Sequence, residues 1–181
     1  MIVNTEYADI SLSGSPMRTF VAAPTAEGQC PGIWCYSDIF QLTPPMLRTC
    51  VRLAGYGFVA AAPEIYRRIE PPGTVIRFDD AGATGIHDGK LGQDADAGSL
   101  ARAAQIRGEL LMIFGTNDPH VPEAGRETID RALQNSDVRY NTLLYAAEHA
   151  FTRDEGPRFD PEATDLAFAE MVRLFRRVFH N

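Results

Sequence analysis

Hydrophobic and polar positions change period several times along the chain, and each change predicts an element. From Ile2 to Leu12 apolar and polar residues partly alternate, Ser13–Pro16 (SGSP) carries turn residues, and Met17–Ala22 is extended again, which predicts a β-hairpin. Gly32–Tyr36 (GIWCY) is a short apolar run between Pro31 and the polar Ser37–Asp38, the pattern of a strand buried on both faces. Phe58–Ala62 (FVAAA), stopped by Pro63, and Leu110–Phe114 (LLMIF) read as two more buried strands, and Val138–Tyr145 reads as a strand.

Helical spacing lies between these runs. Pro44 and Pro45 suit a first helical turn, Met46, Leu47, Cys50, Val51 and Ala54 share one face, and Gly55 suits the end. Pro122–Asn135 predicts a second helix. Asp160 suits the cap of a last helix, with Pro161 at its first position. Its apolar face is Ala167, Phe168, Met171, Leu174, Phe175 and Val178, with Asp165, Arg176 and Arg177 on the other side. The alternation predicts an α/β fold with a mainly parallel sheet flanked by helices. Ligands of such sheets bind beyond the carboxyl ends of the strands. Four loops leave those ends: CYSDIFQL, APEIYRR, GTNDPHVP and AAEHAFTRD.

Composition narrows the partners. A length of 181 residues suits a single domain, 1–181. Apolar content of 45% and charged content of 23% are those of a soluble globule. A net charge of −7 gives no electrostatic support for nucleic acid, and no run approaches the roughly 18 apolar residues of a membrane span. Cys30, Cys35 and Cys50 have neither zinc nor redox spacing, so reduced thiols in a cytoplasmic protein are expected. The N-terminal MIVNTEYADI has no basic or apolar signal-peptide region. No cofactor is expected.

Candidate chemistry sits in the last two loops. Asp118 follows one strand and His149 the next, so an acid can fix the tautomer of an imidazole whose other nitrogen acts as a general base. Nucleophile, acid, histidine is the α/β-hydrolase chain order, and the last two are in order here. Asp118 before a proline also fits a turn or helix cap, and a loop histidine also fits a solvated position. His87 and His120 have no comparable partner, and His180 lies in the tail. A metal site from His87, Asp88, His120 and His149 has no ligand spacing behind it.

Two blocks, Pro31–Tyr66 (PGIWCYSDIFQLTPPMLRTCVRLAGYGFVAAAPEIY) and Gly108–Phe179, resemble the front and back halves of dienelactone hydrolases, the GTNDPHVP and HAFTR loops being the specific part. The resemblance implies an α/β-hydrolase fold and hydrolysis of small lactones or carboxylic esters through a cysteine–histidine–aspartate triad, with serine in some relatives. It makes Asp118 the triad acid and His149 the base. Arg153 matches an arginine that binds the substrate carboxylate, and Asp38 stands where the family has a glutamate that meets the resting nucleophile. The Ile39 N–H matches half of the oxyanion hole. Gln41 replaces the family's glycine. Arg67 or Arg68 suits a second anion contact, or plain surface charge.

The nucleophile motif of that family, resembling G-F-C-x-G-G on a strand-to-helix turn, is not found, nor is G-x-S-x-G. At roughly 30 residues per strand–helix–strand unit, two missing units leave out about 60 residues. The seam falls in GATG, near 83–85. The loss leaves unpaired strand edges. The sheet then closes, shifting the back half by about 10 Å; or two chains pair across the gap as a homo-oligomer; or the chain folds poorly. Closure would offer Cys35 or Ser37 as substitute nucleophile. The sequence therefore predicts a hydrolase by ancestry with weak or absent activity, or else a non-catalytic homologue that binds a small carboxylate or acts through oligomerisation.

Overall fold

The computed structural model describes residues 1–12, 14–77, 79 and 99–179. The seam near 83–85, His87 and Asp88, and His180 lie outside the described residues. The chain divides into two compact units, Met1–Gly92 and Gln93–Asn181, and each has its own sheet.

The first unit opens with the expected hairpin. β1 (Val3–Leu12) and β2 (Ser15–Pro24) run antiparallel, with Val3 opposite Pro24. β3 (Gly32–Trp34), α1 (Pro44–Gly55) and β4 (Val59–Pro63) then form a strand–helix–strand unit whose strands are parallel, Gly32 opposite Val59. β2 pairs antiparallel with β4, so the sheet order is β1-β2-β4-β3. The small side chains of Ala60 and Ala62 let α1 pack close on β4. Both are fully buried, as are Cys50 and Ala54 on the helix, with Leu53, Phe20 and Phe58 filling the space around them. Chain reversal after α1 falls to Gly57, at φ 98°, and not to Gly55, which remains the last helical residue.

One expectation is overturned here. The GIWCY run is not buried on both faces: Trp34 is 43% exposed and Tyr36 74%. Among the described residues β3 ends the sheet order with β4 as its ladder neighbour, while α1 packs over β2 and β4. An apolar run is buried on both sides only where strands and helices flank it on both.

The second unit carries a 3₁₀ segment (Ser99–Gln105), β5 (Leu110–Gly115), α2 (Glu123–Gln134), β6 (Tyr140–Tyr145) and α3 (Pro161–Phe179). β5 and β6 are parallel from Leu110 opposite Tyr140 to Gly115 opposite Tyr145. Asp160 caps α3 as expected, its Oδ1 accepting the Ala163 N–H at 2.9 Å. Ala163 and Ala167 of α3 pack on Ala147 and Phe151, with Ile113 and Tyr145 against them. Val172 is buried in place of the expected Val178, which is 51% exposed near the helix end. Arg177 grips Glu109 with two hydrogen bonds, 2.9 and 2.7 Å, tying the end of α3 to the start of β5. Gly32–Trp34 belongs to the four-stranded sheet of the first unit and Leu110–Gly115 to the two-stranded sheet of the second.

Candidate active site

Two loops leave the carboxyl ends of β5 and β6, and backbone contacts stitch them together. Thr116 N–H donates to Tyr145 O at 2.7 Å and Asn117 N–H to Ala147 O at 3.0 Å. The approach is so close at Gly115 that a Cβ there would sit 2.8 Å from both the Ala147 carbonyl carbon and Glu148 O, and would overlap Ala147 O. Arg126 of α2 clips the first loop at both ends, its Nη1 donating to Val121 O at 2.8 Å and to Gly115 O at 3.5 Å.

That frame brings Asp118 and His149 together. Asp118 is buried, and its two oxygens divide the work. Oδ1 accepts the N–H groups of His120 at 2.7 Å and Val121 at 3.1 Å, which is the turn-capping role. Oδ2 lies 2.8 Å from His149 Nδ1. Capping and pairing, which the sequence left as alternatives, coexist on one carboxylate. The His149 side chain remains 40% exposed. Ala150 follows it in the left-handed region at φ 57°, where a non-glycine residue costs about 1–2 kcal/mol. That turn is held by the Arg153 N–H on Ala150 O at 2.9 Å and by buried Phe151, whose carbonyl takes the Thr164 hydroxyl at 3.1 Å.

Burial opposes ionisation of Asp118, but the His149 hydrogen bond and the two backbone N–H groups outweigh it, and the carboxyl is held below its usual range. A carboxyl whose folded pKa is depressed stabilises the fold fully above its unfolded value, about 3.9, and loses that contribution as pH falls through the folded value. Asp118→Asn should therefore be less stable than wild type in urea at pH 7, with the difference shrinking progressively below about pH 4. A difference that stays constant down to pH 2 would contradict this.

His120, which had no evident partner in sequence, packs its ring edge-to-face against His149, centroids 4.6 Å apart at 66°. Its place two residues before the end of GTNDPHVP gave no hint of that contact. Among the described residues no cluster of three or more metal-ligating side chains forms. Arg153 is half-buried and belongs to the same loop as His149.

The remaining candidates lie in the first unit. Asp38 caps its own turn: Oδ1 accepts the Phe40 N–H at 2.9 Å, and its carbonyl takes the Gln41 N–H at 3.2 Å. Ile39, at the tip, is 40% exposed. Gln41 adopts φ 68°, the left-handed backbone that a glycine would take without strain. Its side chain is fully buried, donating to Thr74 O at 2.9 Å and accepting the Tyr66 N–H at 3.2 Å. The loop shape survives the replacement of glycine, now anchored by a side chain. Ser37 Oγ is buried without a hydrogen-bond partner among the described residues, so it does not bond its own turn. Cys35 packs: its Sγ faces Ile33 O at 4.0 Å, and a hydrogen bond with Cys50 lowers its pKa and raises that of Cys50, which burial raises further.

Gly28–Gly32 (GQCPG) spells glycine-x-cysteine-x-glycine around Cys30. It lies between β2 and β3, where the chain enters a strand, whereas a nucleophile elbow joins a strand to a following helix. Context excludes it.

Comparison with known proteins now adds identity to geometry. The model of the dienelactone hydrolase family matches residues 17–84 and 92–179. A Saccharomyces cerevisiae protein named as a carboxymethylenebutenolidase is 28% identical over 253 residues, covering 98% of this chain and 93% of the relative. The carboxymethylenebutenolidase of Pseudomonas sp. strain P51 is 24% identical over 208 residues, covering 84% and 87%. A crystal structure from Klebsiella pneumoniae, named as a dienelactone hydrolase, superposes with a TM-score of 0.80 at 18% identity over 96% of this chain and 98% of that one. A dienelactone hydrolase-like promiscuous phosphotriesterase from metagenomic libraries gives 0.77 at 16% identity, covering 97% and 98%. The fold is that of the α/β-hydrolases, and the chain, matched in both its halves, belongs to the dienelactone hydrolase family.

Proposed function

We propose that the protein is a weak hydrolase of small lactones or carboxylic esters, a single α/β-hydrolase-type domain over 1–181 with its seam near 83–85, that has lost the nucleophile-bearing segment and keeps the acid Asp118 and the base His149. The observation that carries the reading is the 2.8 Å contact between His149 Nδ1 and the buried Asp118 carboxylate. It orients the ring as a general base requires. Two further observations support the loss. The family match breaks between residues 84 and 92. The match to the yeast relative runs over 253 residues against a chain of 181, so at least 72 positions, the difference, have no counterpart here.

By the family resemblance Arg153 would bind a substrate carboxylate, Asp38 stands where the family has a glutamate that meets the resting nucleophile, and the Ile39 N–H matches half of an oxyanion hole. A cytoplasmic location fits the three free cysteines. Among the described residues no helix is long and apolar enough to cross a membrane. A second reading, a non-catalytic homologue that binds a small carboxylate or self-associates, is favoured by exposed Trp34 and Tyr36 at the edge of a sheet.

Hydrolysis of 4-nitrophenyl acetate separates the two. The hydrolase reading expects turnover above buffer that His149→Ala removes. Binding of acetate with no turnover in wild type would instead establish the second.

A further inference from the structure

Given that reading, the nucleophile must come from somewhere. The unit that holds the Asp118–His149 pair, Gln93–Asn181, contains no cysteine, and its serines are Ser99 and Ser136. Ser136 ends α2 and donates its hydroxyl to Ala132 O at 2.7 Å. Neither serine belongs to the loops that carry the pair. The 78–98 stretch contains neither cysteine nor serine. Cys30 precedes a strand, and Cys35 is engaged with Cys50 and the Ile33 carbonyl.

The base, in contrast, is assembled and open to solvent. Asp118 holds Nδ1, so the proton-accepting nitrogen of the neutral ring is Nε2, on the far side of the imidazole from the carboxylate. With the side chain 40% exposed, water reaches the ring. The edge-to-face contact with His120 limits ring rotation from a second direction. Asp118 accepts hydrogen bonds from His120 N–H, Val121 N–H and His149, which hold its carboxyl below the usual range, so it can offset the charge of an imidazolium.

We infer that the pair activates water directly, so that ester hydrolysis passes through no acyl-enzyme. Nε2 takes a proton from water as its oxygen bonds to the carbonyl carbon. The tetrahedral intermediate then breaks the bond between that carbon and the alcohol oxygen. The departing oxygen receives the proton from the imidazolium, and the products are a carboxylic acid and an alcohol. One water is consumed, and no electron changes hands. The proposal rests on the hydrolase reading above. General-base assistance alone is worth on the order of 10²–10⁴-fold, so turnover is slow.

The test is pre-steady-state release of nitrophenolate from 4-nitrophenyl acetate, with mass spectrometry of acid-quenched protein and a Cys30→Ala/Cys35→Ala/Ser37→Ala variant alongside. Direct attack by water predicts linear release from the first turnover, no acetyl adduct that forms and decays at the catalytic rate, and an unchanged rate in the triple variant. It also predicts a rate loss on the order of 10²–10⁴-fold in His149→Ala. A stoichiometric burst with a competent acetyl adduct, or loss of rate in the triple variant, would overturn the inference while leaving the hydrolase reading in place. A wild-type rate equal to that of His149→Ala would remove both.

Discussion

Gly115→Ala should lose about 3 kcal/mol or more of stability and separate the two loops of the candidate site. The added methyl would meet the backbone of Ala147 and Glu148, atoms that cannot swing aside as a flexible side chain can. Overpacking of this kind usually costs about 1–3 kcal/mol by itself. Here relief requires moving the 115–121 loop away from 146–150, which breaks the Thr116–Tyr145 and Asn117–Ala147 hydrogen bonds at about 1 kcal/mol each. The Asp118–His149 contact rides on the same frame. For a chain of this size such a loss lowers Tm by about 6–12 °C. Urea denaturation checks the magnitude, and a loss under about 1 kcal/mol would mean that the loops are looser than their contacts imply.

The sequence showed where the pair would be, because its signal was local. Each residue follows a strand-forming run, the apolar Leu110–Phe114 or the β-branched and aromatic-rich Val138–Tyr145, and the two runs become adjacent parallel strands whose carboxyl ends lie side by side. Asp160 and Pro161 marked the start of α3 for the same reason, since caps are written in a few consecutive residues.

What stayed hidden depends on neighbours that the local pattern does not name. A strand in mid-sheet and a strand at its edge carry the same apolar run, so GIWCY could not reveal that Trp34 and Tyr36 would be exposed. Gly115 reads as the unremarkable end of a strand until Ala147 is placed against it. Gln41 looks like a solvated polar residue, and its burial depends on Tyr66 and Thr74, 25 and 33 residues away. His120 shows its partner only once two loops meet in space. GQCPG is the converse case, a string with the right letters whose position between two strands removes its meaning.

The second large effect concerns the pair itself. If Asp118 acts through His149, replacing it with asparagine leaves a hydrogen-bonding group of the same size but no charge to set the tautomer and offset an imidazolium. Asp118→Asn should then lose most of what His149→Ala loses, on the order of 10²–10⁴-fold in kcat/KM. Residues that act as one unit also lose their effects together, so their losses do not multiply.

The most direct measurement is therefore kcat/KM for 4-nitrophenyl acetate in wild type, Asp118→Asn, His149→Ala and the double variant. The account predicts that the double variant is no slower than His149→Ala alone, with both far below wild type. Losses that multiply, or a wild type no faster than His149→Ala, would contradict it.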